Sequence, residues 1–231
     1  LVGDNSFYGF VSPIRGGRYR YELEGTVGTE NFLTAITDWR RYWAPHRNLT
    51  FAVRGLHYGR YGAIANSVES QGTAIRPLFL GYETFIRGYA WESFENQECA
   101  LDGFQAGEII LGSGEVSSCP PFDRLFGHRL GVVNLEARIP LIGTEQFGLL
   151  DFGFLPTELS FFVDGGLAWD GVREPTLEWC TGCPDRVPVF STGVSARVNI
   201  LGFLILETYY AYPFQRPDKG GHWGFNLAPG W

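Results

Sequence analysis

The residues best equipped for chemistry are few and scattered. Cysteines stand at Cys99, Cys119, Cys180 and Cys183, and histidines at His46, His57, His128 and His222. A structural zinc site usually combines two close Cys-x-x-Cys steps. Here one such step, Cys180 to Cys183, accompanies a pair twenty residues apart, which departs from that spacing. Disulfides in an oxidising compartment are therefore favoured over a metal. Their pairing does not follow from the sequence; Cys99 with Cys119 and Cys180 with Cys183 is the expectation carried forward. Nucleophilic catalysis needs Ser or Cys beside a histidine and an acid, and the four histidines sit on turns and strand ends without such a grouping. No enzyme is expected. Gly165-Gly166 and Gly112-Ser113-Gly114 lack the strand-to-helix setting of a phosphate cradle and read as loop or close-packing glycines, so no cofactor is expected.

The charge balance narrows the partners. There are 25 acids against 18 bases, a net charge of -7, so nothing supplies the basic surface of a nucleic-acid binder. Lys219 is the only lysine; every other base is arginine, which fits interior ion pairs and a GC-rich genome equally well. With 231 residues, 16% aromatic and only 19% charged, the chain suits one folded domain. It lacks the run of about twenty apolar residues that a transmembrane helix needs.

The elements that must carry these residues are strands. From Arg18 to Val27, Tyr19, Tyr21, Leu23, Gly25 and Val27 share one face, and Arg18, Arg20, Glu22, Glu24 and Thr26 share the other. The same alternation returns in 129–141, 158–170 and 190–201, and 32–43, 49–61, 204–212 and 222–231 complete eight segments of about ten residues. In the second half, long connections alternate with tight ones, as on the two rims of a transmembrane barrel. The connection from Leu141 to Pro156 is an exception. Aromatics at Tyr19, Trp43, Trp169, Tyr212 and Trp231 lie near strand ends, where interfacial girdles sit. A soluble lipocalin-like barrel would instead turn its apolar face inward.

If the polar face points inward, Arg18, Arg20, Arg40, Arg54, Arg138 and Arg197 meet Glu22, Glu24, Asp38, Glu136, Asp164 and Glu207. Such a balanced set fills a narrow interior with its own side chains, whereas a selective pore carries an excess of one sign.

Several stretches resemble a known family. Phe85-Ile86-Arg87-Gly88-Tyr89 resembles the Arg-Gly-aromatic motif in the long loop of the BamA/TamA outer-membrane proteins, also called bacterial surface antigens. Asn134 to Leu141 (NLEARIPL) and Phe161 to Trp169 (FFVDGGLAW) are similar to the strands that follow it. Tyr210 to Phe214 and Phe225 to Trp231 resemble the last hairpin and the C-terminal recognition signal, here Phe225, Leu227 and Trp231. The resemblance implies that the loop folds back into the barrel, placing the Arg87 guanidinium near Glu136 and Asp164. It also implies a bacterial outer-membrane location and contact with the assembly machinery during biogenesis. The family's barrel has sixteen strands, and this chain has room for the last eight.

The expected fold is all-β, an eight-stranded antiparallel transmembrane β-barrel with long extracellular loops over 17–231, preceded by a periplasmic segment over 1–16. Arg87, Glu136, Asp164, Arg138, Arg197 and Glu207 are expected to form its interior network. The expected function is a membrane anchor or structural module in the outer-membrane bilayer, belonging to a larger protein with a fused or associated periplasmic domain. The alternatives are an insertion or translocation factor and a soluble ligand-binding barrel.

Overall fold

Segments whose successive side chains suit opposite surroundings form strands, since a strand turns alternate residues to opposite faces. The computed structural model describes residues 1–29, 31–63, 75–95, 98, 119–144, 148–152, 154–171, 174–181, 186–202, 204–216 and 218–227. The chain is all-β. Short strands β1 (Val2–Asp4) and β2 (Phe7–Tyr8) precede the long β3 (Pro13–Thr26), β4 (Phe32–His46) and β5 (Leu49–Tyr61). Then come β6 (Leu78–Phe79), a one-turn helix α1 (Pro120–Asp123), β7 (Phe126–Gly127), β8 (Arg129–Gly143), β9 (Leu150–Asp151) and β10 (Thr157–Trp169). β11 (Val189–Ile200), β12 (Leu204–Pro213) and β13 (His222–Leu227) finish the chain. The segments expected from alternation correspond to β3, β4, β5, β8, β10, β11, β12 and β13.

These strands pair as one sheet of eleven, in the order β1-β3-β4-β5-β8-β10-β11-β12-β13, with β2 on β3 and β9 on β8; β6 and β7 form a separate ribbon. Every link along that main path is antiparallel. Among the described residues no pairing joins β1 or β3 to β13, so the sheet is not closed. The eight-stranded closed barrel is thus not what the pairing yields. One cause lies in the first residues: the Leu1 ammonium donates to the Tyr21 carbonyl, the Tyr21 amide donates to the Leu1 carbonyl, and β1 runs along Arg18 to Arg20. Part of the outer edge of β3 is therefore satisfied by its own N-terminal strand. The boundary expected after residue 16 falls inside β3.

The sheet nevertheless curls strongly. Ser12, just before β3, donates to both carboxylate oxygens of Glu158 on β10, at 2.8 and 2.7 Å, and the Asn199 amide on β11 donates to the Phe10 carbonyl. Such contacts between strands far apart in the order require a deep concave face. The connection between β5 and β8 turns back into that concavity over residues 80–90, where Leu80, Ile86 and Tyr89 pack with Phe94, Phe122, Leu125, Leu130, Val132 and Val189. Each fully buried Leu, Ile or Phe in such a cluster contributes about 1.5–3 kcal/mol.

The two faces of the sheet are inverted relative to a water-soluble protein. On the convex side Val133, Leu135, Leu159, Phe161, Val163, Val194, Tyr210, Trp223 and Phe225 are exposed. On the concave side Asn134, Glu136, Arg138, Glu158, Asp164, Arg197 and Glu207 are buried. Trp43 stacks on Phe51 near one rim, and Tyr212 is exposed near the other. Trp169 ends β10 and stacks on His57, Tyr19 lies mid-strand rather than near a strand end, and Trp231 is outside the described residues.

Candidate functional site

Register places the charges before any side chain is considered. Arg197 on β11 pairs with Glu207 on β12 and Glu158 on β10, while Phe162 on β10 pairs with Glu136 on β8, and Asp164 with Asn134. These residues fall on one face because each is an even number of positions from the next along its strand.

Into this patch the β5–β8 connection delivers Arg87. Its backbone turns at Gly88, whose φ of +88° lies in the left-handed region that glycine adopts freely. A Cβ at Gly88 would also lie 3.1 Å from Ala211 on β12, so the absence of a side chain lets the loop rest directly on that strand. The guanidinium then makes a fork on Asp164, Nε to Oδ2 at 2.8 Å and Nη2 to Oδ1 at 2.9 Å. Nη1 lies 2.7 Å from Glu136 and 3.2 Å from Glu207. Its Cζ lies over the Phe162 ring, 3.6 Å from the ring centre, a cation–π contact. Arg87 is only 2% exposed.

Glu136 is the hub of the cluster. Besides Arg87 it receives Arg138 at 2.7 Å and Arg197 at 2.7 Å. Arg197 also reaches Glu207 at 3.0 Å and Glu158 at 3.6 Å. Arginine suits this arrangement because its planar fork meets two carboxylates at once. A second cluster beside it joins Arg40 and Arg54 to Asp38. Asn134 ties the loop in as well, donating to the Phe85 carbonyl and to Asp164.

The structure thus brings together Arg87, Glu136, Asp164, Arg138, Arg197 and Glu207. It does not bury Arg18, Arg20, Glu22 and Glu24. They occupy the polar face, but β3 lies near the sheet's open edge; Arg20 bonds Glu22 on its own strand, with side chains 53% and 39% exposed. Glu158, Asn134 and Phe162 belong to the cluster and were not among the expected residues, although alternation on β8 and β10 already puts them on the right face.

Above the network, toward the long connections, arginines knit the loops together. Arg216 holds Glu98 with two bonds of 2.7 Å and also donates to the Gly88 carbonyl. Arg186 donates to the Phe126 carbonyl at 2.6 Å, and Arg124 to those of Cys180 and Thr181. The Tyr89 hydroxyl bonds Gln215, and burial pushes it well above its usual pKa. Glu83 accepts from Tyr209 at 2.9 Å, and burial raises its carboxyl above its ordinary pKa.

The other expected residues are spread out. Phe225 and Leu227 lie exposed on the convex side of β13, and Trp231 is outside the described residues. Cys119 is buried, no free thiol occurs among the described residues, and Cys99 and Cys183 fall outside them. Gly165 and Gly166 are strand residues of β10; a Cβ at Gly166 would meet Ile86 at 2.2 Å, so the glycine admits the loop. Gly112, Ser113 and Gly114 are outside the described residues. His57 bonds the Leu130 carbonyl and Tyr61, and His46 accepts from the Asn48 amide, so neither ring engages an acid. Among the described residues no group of three or more His, Cys, Asp or Glu is placed to hold a metal.

What this arrangement can do chemically is hold a loop and fill a space. Opposite charges meet in forks throughout, and aromatic and aliphatic groups close the gaps between them. No family model matches the chain, and neither does any curated protein.

Proposed function

We propose that the chain is an integral outer-membrane β-barrel protein of bacteria that serves as a membrane anchor or structural module, with its interior plugged by its own side chains. The observation that carries this reading is the inversion of the two faces. A sheet that exposes Phe161, Val163, Leu135 and Trp223 while burying Glu136, Asp164, Arg138 and Arg197 is suited to lipid outside and a polar interior. Kinship with the BamA/TamA family is part of the proposal, supported by the return of the Phe85 to Tyr89 loop onto Glu136 and Asp164.

On this reading the partners are the outer-membrane bilayer, the assembly machinery during biogenesis and a fused or associated periplasmic domain. The long connections face outward and the cysteines pair within them, Cys99 with Cys119 and Cys180 with Cys183. The chain itself performs no catalysis. The test is extraction: the protein should stay with membranes through an alkaline carbonate wash and enter solution only with detergent. Release by the wash alone would favour a soluble barrel.

A second reading, an insertion or translocation factor, is favoured by one feature. Among the described residues the edges at β1–β3 and at β13 are not joined to each other, and unpaired edges recruit further strands. Loss of outer-membrane protein assembly on deletion of the gene would identify that activity.

A further inference from the structure

A cavity of about 460 Å³ opens at the end of the sheet that carries the β4–β5 turn. It lies between the residues leading into β3, that turn and the facing ends of β8 and β10. Two kinds of charged group line it. Arg15 and Arg47 line it, both exposed, and neither guanidinium has a hydrogen bond or ion pair to a described residue. This contrasts with Arg87, Arg138, Arg197 and Arg216, each of which is held by carboxylates. Glu158 also lines the cavity and is buried. It accepts from Ser12, but its ion pairs to Arg197 and Arg138, at 3.6 and 4.0 Å, are the longest in the network. The remaining wall is largely apolar, with Phe7 and Phe10 exposed at 59% and 43%.

We propose that this cavity binds an aminoalkyl phosphate, a phosphoethanolamine head group, with its phosphate between Arg15 and Arg47 and its ammonium toward Glu158. An inorganic anion would answer the two guanidiniums and be repelled by the buried carboxylate. A simple amine would answer Glu158 and face two unsatisfied cations. A zwitterion answers both groups, and Arg is the side chain suited to phosphate. His46 adds a donor: its Nδ1 accepts from the Asn48 amide, which leaves the proton on Nε2. The apolar wall with Phe7 and Phe10 would contact the remainder of the ligand. The chemistry is the same for a phospholipid head group and for the free compound, and it rests on the cavity rather than on the membrane reading above.

The test is calorimetric titration of the purified protein in dodecyl maltoside with O-phosphoethanolamine, ethanolamine, inorganic phosphate, and phosphatidylethanolamine or phosphatidylglycerol in mixed micelles. Phosphoethanolamine should bind at least tenfold more tightly than ethanolamine or phosphate. Arg15→Gln and Arg47→Gln should each weaken it about tenfold without moving the melting temperature, because both side chains are exposed and unbonded. Competition by phosphatidylethanolamine but not phosphatidylglycerol would identify a lipid as the source, and binding of phosphoethanolamine without such competition would identify the free compound. No binding of phosphoethanolamine, equal binding of phosphate, or unchanged affinity in both arginine variants would overturn the proposal.

Discussion

Arg87 Nη1 and Glu136 Oε1 lie 2.7 Å apart, the first on a returning loop and the second in the middle of β8, with both side chains at most 3% exposed. A loop that enters the concave face and ends in such a contact is anchored at its tip. The same guanidinium holds Asp164 on β10 and Glu207 on β12, so one side chain links three strands that are not all neighbours.

Removing that cation should be costly. Arg87→Ala leaves Glu136, Asp164 and Glu207 close together with one fewer counter-charge, a loss of ~3–5 kcal/mol by analogy with broken buried pairs. Arg87→Lys should recover only part, since an ammonium cannot fork onto Asp164 and reach Glu136 together. The readout is the temperature at which the folded form loses its distinct gel mobility. Arg76→Ala, at an exposed loop position, serves as the control and should melt like the wild type.

Alternation made much of this arrangement legible, and the reason is local. A period of two assigns a face to every residue of a ten-residue strand, so Glu136, Arg138, Asp164, Arg197 and Glu207 could be placed on one side before any partner was known. What alternation cannot carry is long-range closure. β1 and β2 are three and two residues long, too short to show a period, yet β1 covers part of the edge that a closed barrel would have used. Burial likewise depends on what lies opposite. Arg18, Arg20, Glu22 and Glu24 hold the expected face but sit near the open edge, where the described residues leave them largely exposed. Arg87 itself lies outside any regular strand and was placed by resemblance alone.

Glu83 offers a pH-dependent check. Burial raises its folded pKa above the unfolded value, so folding favours the protonated form, and its contribution falls as pH rises from the unfolded toward the folded pKa. At neutral pH the charged form is therefore a cost to the fold. Glu83→Gln keeps an acceptor for Tyr209 and should melt at least as high as the wild type at pH 7, the difference vanishing near pH 4. A variant that melts lower at pH 7 would mean the charge itself is stabilising.

The cysteines should be oxidised in pairs. Non-reducing digestion followed by mass spectrometry is expected to give Cys99 linked to Cys119 and Cys180 linked to Cys183. Four alkylatable thiols or bound zinc would refute the assignment.

An interior filled by forked ion pairs and packed loops should not conduct. Planar-bilayer recordings of the purified protein are expected to show no stable open level. Reproducible unit conductance would mean that the network leaves a water path.

The face inversion is tested most directly by a charge placed on the convex side. Val163, mid-strand on β10 and 46% exposed, is the position of choice. If that side meets lipid, Val163→Arg should destabilise the protein by about 2–4 kcal/mol in reversible unfolding from lipid vesicles. A change within about 0.5 kcal/mol, as for an ordinary water-exposed site, would contradict the account.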